Sequence, residues 1–254
     1  MTMTYERHIP LAGATNFRDL GGYRAADGRT VRWRRVFRSD ALHDLTADDF
    51  AVLRDLGVGD VFDLRTAHEL DTWGIGVLTE HGLRHHHVPF NPSRGAQPGQ
   101  VVTVPAFDDF EAFTQLYLDM LEEAGPSLGR VFTHLAESPE QGAVFHCTGG
   151  RDRTGMTAAF LLGVLGVPRE TIAEDYALTG QYLVIPEVRR ARMQEMYGSR
   201  PSLISEGPVV TPSEVITMTL AALDERYGSP EGYLESVGVT AEHREALQHA
   251  LLGE

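Results

Sequence analysis

The segment 144–155 contains the residue types and the spacing of a nucleophilic anion site. It holds Cys147, the single cysteine of the 254-residue chain, and five residues separate this cysteine from Arg153. The apolar residues 142–145 predict a buried strand before it, and the apolar run 156–167 predicts a buried helix after it. A glycine-bearing loop between a strand and a helix directs backbone N–H groups and the positive helix end at an anion. The segment therefore predicts a phosphate site with a thiol at its floor and a guanidinium at its rim.

Each residue type in this loop has a chemical role in such a site. A free thiol is mostly neutral at neutral pH, and a helix N-terminus with nearby arginines favours the thiolate, the form that attacks phosphorus. Arg153 can bind two phosphate oxygens at once, and Gly149 and Gly150 let the backbone approach the ligand. The Thr154 hydroxyl can donate to the cysteine sulfur, and His146 can hold the cysteine backbone through a side-chain hydrogen bond. The residues expected to bind phosphate are Thr148, Gly149, Gly150, Arg151, Arg153 and Thr154.

The loop and several distant motifs resemble one known family. The sequence H-C-x5-R-T at 146–154 resembles the signature of the cysteine-based protein tyrosine phosphatase superfamily. Within it, G-R-D-R-T-G at 150–155 is similar to the G-K-D-R-T-G of the bacterial atypical tyrosine and lipid phosphatases. The motifs N-F-R-D-L-G-G-Y at 16–23, V-F-D-L-R at 61–65 and D-Y at 175–176 follow the order of that family. The resemblance implies a protein tyrosine phosphatase-like fold and hydrolysis of phosphate monoesters through a cysteinyl-phosphate.

The chain departs from that family at one loop position, where Arg151 replaces a lysine. The charge is kept, but the donor geometry changes from a point to a planar fork, which affects substrate preference more than catalysis. The substrate is expected to be a phosphorylated protein or a phosphoinositide. Protein phosphotyrosine is the favoured substrate, and dual-specificity or phosphoinositide activity is the alternative. A loop with both Arg151 and Arg153 favours a second phosphate, whereas a net charge of −14 gives little attraction to a lipid surface.

An aspartate is the expected general acid for the leaving group, and the sequence offers several. Asp152 lies inside the loop, at the position that the resemblance gives to an acid, and we favour it. Asp63 follows a predicted strand and is the main competitor, or else an orienting group. Asp108 and Asp109 precede a predicted helix and resemble a movable acid loop in position. The structural alternatives are a salt bridge from Asp152 to a neighbouring arginine and an ion pair between Asp63 and Arg65.

Two other function classes share part of this pattern. A phosphate-binding module without turnover would keep the loop, but such modules usually lose the cysteine, the arginine or the acid. A rhodanese-like sulfurtransferase also places a cysteine before a helix, but the arginine of H-C-x5-R-T favours phosphate over a persulfide. We expect no cofactor.

The run His85-His86-His87 raises the question of a metal site. On a strand, His85 and His87 share one face and His86 points to the other. No cysteine and no obvious carboxylate cluster accompanies them, and the expected chemistry needs no metal. The sequence therefore predicts no metal site.

Composition indicates a cytoplasmic enzyme that does not bind nucleic acid. The net charge of −14 and the acidic pI near 5.2 argue against nucleic-acid and anionic-membrane partners. One cysteine excludes an internal disulfide, so no oxidising compartment is needed. Residues 1–17 lack the apolar core of a secretion signal, and no apolar run reaches the roughly 18 residues of a membrane span. Members of the family that the chain resembles can nevertheless be exported without such a signal.

The remaining pattern predicts one α/β domain over residues 1–254, with three layers and a central, mostly parallel sheet flanked by helices. Thr46 is a predicted N-cap for a helix that stops at Gly57, Pro168 opens another helix, and T-P-S-E at 211–214 predicts a capping box. The predicted strands are 31–37, 58–64 and one through His85 and His87, and the predicted central helices are 110–123 and 127–136.

Two segments predict loops or lids. Residues 91–107 are rich in proline and glycine and predict a long loop. Residues 181–210 combine a short helix at 187–197 with a Pro/Gly/Ser-rich stretch. They could form a helical lid over the phosphate site, as the family resemblance implies, or a peripheral helix whose basic face, with Arg189, is solvated.

Overall fold

A five-stranded sheet forms the centre of the protein. The computed structural model describes residues 5–90, 105, 108–197 and 209–254. The strand order is β1-β3-β6-β4-β5, in which β1 is antiparallel to β3 and the other neighbours are parallel. A separate antiparallel pair joins β2 to β7. The strands are β1 (Arg18–Asp19), β2 (Thr30–Val31), β3 (Val36–Ser39), β4 (Val58–Asp63), β5 (Arg84–His87), β6 (Gly142–His146) and β7 (Leu252–Gly253).

Helices cover both faces of this sheet. In β4 and β6, Phe62 and Phe145 belong to the larger core, and their neighbours Val61 and Val144 belong to the smaller one. Successive strand residues point to opposite faces, so this alternation confirms the predicted three-layer arrangement. The helices are α1 (Ala47–Leu56), α2 (Ala67–Trp73), α3 (Phe110–Glu137), α4 (Asp152–Val164), α5 (Arg169–Ala177), α6 (Thr179–Tyr182), α7 (Glu187–Tyr197), α8 (Ser213–Tyr227), α9 (Pro230–Ser236) and α10 (Ala241–Leu251).

The predicted ends of α1 are confirmed. The Thr46 hydroxyl accepts from the backbone N–H of Asp49, and the Asp49 carboxylate accepts from the N–H of Thr46. Gly57 ends the helix with a φ of 78°, a left-handed conformation that glycine adopts at little cost. The same Asp49 carboxylate also accepts from the backbone N–H groups of Ala12 and Gly13, so this cap ties the N-terminal segment to the sheet layer.

The predicted strand 31–37 is wrong as a single element. The chain turns between β2 and β3, where Arg34 has a φ of 63° and its N–H donates to Asp19 at 2.7 Å. As a result β2 leaves the main sheet and pairs with β7 near the C-terminus. An apolar run cannot distinguish one strand from two that are separated by a short turn.

The two helices predicted at 110–123 and 127–136 are one helix, α3, which continues through Pro126. Packing explains why the helix continues through a proline. A side chain at Gly125 would meet Val237 at 2.6 Å, and one at Gly129 would meet the carbonyl of the same Val237 at 2.6 Å. The helix is thus held against the turn after α9, and this contact stabilises a backbone that proline disfavours locally.

The capping box predicted at 211–214 is also wrong. Helix α8 begins at Ser213 with Pro212 as its N-cap and with no side-chain cap. Within the described residues the Thr211 hydroxyl has no hydrogen-bond partner. Thr211 lies one residue too early for the box, because the extended Pro212 occupies the cap position.

The described residues include no helix that is both long and apolar enough to cross a membrane. The predicted loop 91–107 falls outside the described residues, apart from residue 105.

Candidate active site

The candidate nucleophile lies at the carboxyl end of the central strand. Strand β6 ends at His146, and Cys147 follows it with 2% of its surface exposed. Helix α4 begins only five residues later, at Asp152. In parallel α/β sheets, ligands bind at this edge of the sheet, where strands end and helices begin. The structure thus places the thiol at the base of a tight strand-to-helix loop.

The carbonyl groups of residues 148–150 all bind to the protein behind the loop. The Thr148 carbonyl accepts from the backbone N–H of Ala41 at 3.1 Å. The carbonyls of Gly149 and Gly150 accept from the Asn16 side-chain amide at 3.2 and 3.3 Å. Arg38 also donates to the Gly150 carbonyl, at 2.8 Å. In a planar trans peptide the C=O and the following N–H point in opposite directions. The N–H groups that follow these carbonyls therefore point away from the protein behind the loop, to the side on which an anion would bind.

Gly150 allows this loop to sit close to the neighbouring strand end. Its φ is +66°, and a Cβ there would lie 2.5 Å from the carbonyl oxygen of Ser39 and 2.6 Å from the nitrogen of Asp40. Both the backbone conformation and the space exclude any larger residue. The glycine that the sequence analysis assigned to ligand approach is thus also required for packing.

A buried charge cluster supports the loop from below. Asp175, on α5, accepts from Arg38 at 2.5 Å, from Arg18 at 3.3 Å and from the Tyr23 hydroxyl at 2.9 Å. Burial raises the pKa of Asp175, but Arg18 and Arg38 outweigh burial and lower it to about 2, so the carboxylate is charged. The resemblance motifs contained Arg18, Tyr23 and Asp175, yet sequence reasoning assigned them no role. The cluster links β1, β3 and α5 beneath the loop.

Glu69 holds the candidate phosphate-binding arginine. The Arg153 guanidinium donates to both carboxylate oxygens of Glu69, at 2.5 and 2.8 Å, and its side chain is 13% exposed. The Thr148 hydroxyl donates to the same carboxylate at 2.5 Å, and Glu69 is itself fixed as part of the cap of α2. A bidentate pair orients the planar guanidinium. Sequence reasoning missed this function, and the T-x-x-E cap at 66–69 was its only local signal.

Asp152 is surrounded by hydrogen-bond donors. The Tyr117 hydroxyl donates to Oδ1 of Asp152 at 2.5 Å, and the Arg151 Nε donates to the same oxygen at 3.1 Å. Since Tyr117 uses its one proton there, the 2.6 Å contact between the Tyr117 and Tyr176 hydroxyls places Tyr176 as donor. Burial raises the pKa of Asp152, but Arg151 and Tyr117 outweigh burial and leave it below its usual value. The carboxylate is therefore ionised before substrate binds.

The structure places the other candidate acids in structural contacts. Asp63 is fully buried and binds Arg65 at 2.6 Å and His85 at 3.2 Å. Burial raises the pKa of Asp63, but the hydrogen bonds from Arg65 and His85 and the charge of Arg65 outweigh burial and hold it well below its usual range. Asp109 caps α3 through the N–H of Ala112 at 3.0 Å. These contacts favour the ion-pair interpretation of Asp63.

Two residues were expected to assist Cys147, and only one of them makes its predicted contact. His146 makes the predicted backbone contact, with Nδ1 3.1 Å from the Cys147 carbonyl oxygen. Burial lowers the pKa of His146 to about 4, so the ring is neutral at pH 7 and Nδ1 is the donor. The Thr154 hydroxyl is fully buried and has no hydrogen-bond partner within the described residues. The predicted bond from Thr154 to the sulfur is therefore not formed in this structure.

The first part of the segment 181–210 lies close to the loop. The Leu183 side chain is near Gly149, where an added Cβ would come within 3.5 Å of it. Arg189 of α7 binds Asp40 at 2.8 Å and Asp44 at 3.1 Å, with a side chain that is 6% exposed. The alternative of a solvated basic face therefore does not hold for Arg189, because its guanidinium is buried against Asp40. The part of the segment from 198 to 208 falls outside the described residues.

Comparison with known proteins places these features in a family. The model described as "Tyrosine phosphatase family" matches residues 9–253 of this chain. The triple specificity protein phosphatase PtpB of Mycobacterium tuberculosis is 29% identical over 285 aligned positions, which cover 96% of this chain and 98% of that protein. A tyrosine-protein phosphatase of Nostoc commune is 30% identical over 217 positions, which cover 83% and 72%. Among solved structures, P. aeruginosa TpbA matches at 17% identity over 61% of this chain and 78% of that chain, with a TM-score of 0.32.

Proposed function

We propose that this chain, which belongs to the tyrosine phosphatase family, hydrolyses phosphate monoesters through a phosphoryl group carried by Cys147. The observation that supports this most directly is the position of Cys147 beneath a loop whose carbonyls are all bound to the protein behind it. A phosphate dianion in this loop meets N–H donors on one side and the thiolate on the other, with Arg153 at the rim.

In the first step the Cys147 thiolate attacks phosphorus in line, and the bond from phosphorus to the ester oxygen breaks. The loop N–H groups and Arg153 bind the phosphoryl oxygens, and Glu69 keeps the guanidinium plane in position. The leaving oxygen takes a proton from Asp152 and departs as the alcohol. Glu69 is thus a positioning residue, since it acts through Arg153.

In the second step water attacks the phosphorus, Asp152 accepts a proton from it, and the thiolate leaves. The ionised state of Asp152 suits this base role directly. For the first step the carboxyl must carry a proton, and a bound phosphate dianion favours that state because like charges raise the pKa of a neighbouring carboxyl. The rate of hydrolysis should therefore have an acidic pH optimum for substrates whose leaving group needs the proton.

For the substrate we propose a protein phosphotyrosine, with phosphoserine, phosphothreonine and phosphoinositides as further substrates. The name of the mycobacterial relative, a triple specificity phosphatase, supports a broad range. The hydrogen bonds of Arg151 support phosphotyrosine over phosphoinositides, because its guanidinium already binds Asp152 and the Val210 carbonyl. A second phosphate on an inositol ring would have to compete for that guanidinium.

We further propose that residues 1–254 form a single domain and that segment 181–210 is a lid over the loop. The proximity of Leu183 to Gly149 and the buried pair of Arg189 with Asp40 support the lid. Cytoplasmic residence is proposed from composition alone. A panel of phosphopeptides and soluble phosphoinositides, assayed without added metal, tests the substrate order. Turnover of thiosulfate without any turnover of phosphate esters would instead indicate a sulfurtransferase.

A further inference from the structure

A second group of ligand-bearing side chains lies where α3 packs on the edge of the sheet. Asp60 of β4, His86 of β5 and His134 of α3 each contribute one ligand atom, and the three atoms lie within 4.8 Å of one another. Nε2 of His86 is 2.7 Å from Oδ1 of Asp60, and Nε2 of His134 is 3.4 Å from Oδ2. The two imidazole rings pack with centroids 4.7 Å apart. Three separate elements thus converge on one point.

We propose that Asp60, His86 and His134 bind a divalent transition-metal ion, with zinc as the best fit. Two imidazole nitrogens and one carboxylate oxygen form a ligand set that zinc accepts, at about 2.0–2.2 Å from each ligand. Tetrahedral ligands at that distance lie about 3.3 Å from one another. The 3.4 Å separation between His134 and Asp60 is close to this value. The 2.7 Å hydrogen bond between His86 and Asp60 must lengthen by about 0.6 Å when an ion takes the place of its proton.

The buried Nε2 atom of His134 is the observation that points to a ligand. Its Nε2 atom is shielded from solvent and has no hydrogen-bond partner within the described residues, because the 3.4 Å approach to Asp60 lacks hydrogen-bond geometry. Buried polar atoms are almost always paired, so a buried nitrogen without a partner calls for an explanation. An ion between this nitrogen and Asp60 supplies the missing partner.

Arg84 binds the same carboxylate and is compatible with the ion. Its Nε and Nη2 donate to the two oxygens of Asp60 at 2.8 and 2.5 Å. A carboxylate has about four acceptor positions, and this fork occupies one on each oxygen. The other position on each oxygen faces a histidine. Metal-binding carboxylates are commonly held by a second hydrogen-bond donor, and Arg84 has that geometry.

The rings of both histidines are partly exposed, although their ligand atoms lie at the buried end of the cluster. The side chains of His86 and His134 are 27% and 29% exposed, and His134 also lines a surface concavity with Arg130, Thr133 and Glu137. An ion can therefore enter, and water can complete its coordination.

The sequence predicted no metal site because no carboxylate cluster accompanies the histidines, and because His86 points to the face opposite His85 and His87. In the structure His85 binds Asp63 and His87 binds the Arg65 carbonyl, while His86 meets Asp60. The proposed ion would join the edge strand β5 to β4 and α3. Its role is structural, and the proposal does not depend on phosphatase activity.

The test is a calorimetric titration of zinc chloride into the Cys147→Ser protein, which lacks the thiolate as a competing ligand. We expect one equivalent of zinc to bind, with a melting temperature that rises with zinc concentration. In the same background His134→Gln should weaken binding at least tenfold and remove the thermal shift, since it deletes a direct ligand. The matched control is His68→Gln, an exposed histidine on α2, which should bind zinc as the parent does.

His86→Gln is the second ligand variant, in case His134→Gln fails to fold in the absence of zinc. Cobalt binding should give a visible d–d absorption in the parent and in His68→Gln, and none in the ligand variants. Absence of one-equivalent binding in the parent would overturn the proposal. Parent-like affinity in either folded ligand variant would overturn it equally.

Discussion

The Tyr117 hydroxyl donates a 2.5 Å hydrogen bond to Oδ1 of Asp152, and this bond connects the long central helix to the first residue of the helix that follows the cysteine loop. Burial and the neighbouring Asp152 raise the pKa of Tyr117 well above its usual value, so the phenol stays protonated and remains a donor. The bond stabilises the ionised carboxylate. It therefore controls the pH at which Asp152 can act as an acid.

Replacement of Tyr117 by phenylalanine should move the alkaline limb of the rate profile to higher pH. The hydrogen bond lowers the pKa of Asp152, so its loss raises that pKa and keeps the carboxyl protonated further into the neutral range. The measurement is kcat/KM against pH for phosphotyrosine. The control is Tyr233→Phe, which removes a buried hydroxyl that donates to the Leu121 carbonyl at 2.6 Å. An unshifted limb in the Tyr117 variant would exclude this coupling.

The loop around Cys147 could be predicted from sequence because its signals are local. Apolar runs on both sides of a glycine-bearing stretch indicate a strand and a helix, and these elements position the cysteine without distant information. Tyr117 and Glu69 could not be assigned in this way. They reach Asp152 and Arg153 across 35 and 84 residues, and contacts at such separations depend on packing that no local pattern encodes.

The error at Pro126 has the same physical origin, whereas the capping box at 211–214 failed for a local reason, because Pro212 takes the cap position. Proline is a strong local signal, yet the packing of Gly125 and Gly129 against Val237 keeps α3 continuous. Tertiary contacts override local propensity because their energies are larger than the differences between residue types. The turn at Arg34 likewise gave no signal, since a positive φ at arginine is uncommon.

Replacement of Asp152 by asparagine should slow poor leaving groups much more than good ones. An acidic phenol leaves almost without a proton, whereas phosphotyrosine and alkyl phosphates need one, and general acid catalysis contributes about 10²–10⁴-fold. The measurement is kcat/KM over a series of aryl phosphates. Asp63→Asn is the matched comparison, because Asp63 binds Arg65 inside the protein. A leaving-group dependence confined to the Asp63 variant would reverse the two roles.

Replacement of Asp175 by asparagine should destabilise the protein by about 3–5 kcal/mol at pH 7, because it leaves Arg18 and Arg38 buried without their partner. The folded pKa of Asp175 is lowered to about 2, against about 3.9 in an unfolded chain. Its stabilisation is therefore complete above pH 4 and is lost as the pH falls towards 2. The variant should lack this part of the acid dependence in urea unfolding measured from pH 7 to pH 2.

The control for Asp175 is Asp224→Asn, which breaks the exposed pair with Arg169, whose side chains are 44% and 39% exposed. Exposed pairs contribute about 0–1 kcal/mol. Equal losses in the two variants would contradict the importance assigned to the buried cluster.

Replacement of Arg189 by methionine should release α7 from the body of the protein. The substitution removes the buried bond to Asp40 and the partly exposed bond to Asp44, and it leaves Asp40 without its cation. We expect faster amide hydrogen exchange across 187–197 and a changed KM for phosphopeptides, with a smaller change for a small aryl phosphate. Arg192→Met, which changes an exposed arginine of the same helix, is the control. Parent-like exchange in the Arg189 variant would remove the support for a lid held by this ion pair.

The central claim is that Cys147 carries the phosphoryl group, and acid quenching of the enzyme during turnover tests it most directly. Mass spectrometry of the digested protein should find one phosphoryl group, attached to Cys147, and it should accumulate when Asp152→Asn is turned over with an aryl phosphate that has a good leaving group. Cys147→Ser should give no turnover while it still binds phosphate, because the loop N–H groups remain. Ordinary turnover by Cys147→Ser, or a phosphoryl group on another residue, would contradict the account.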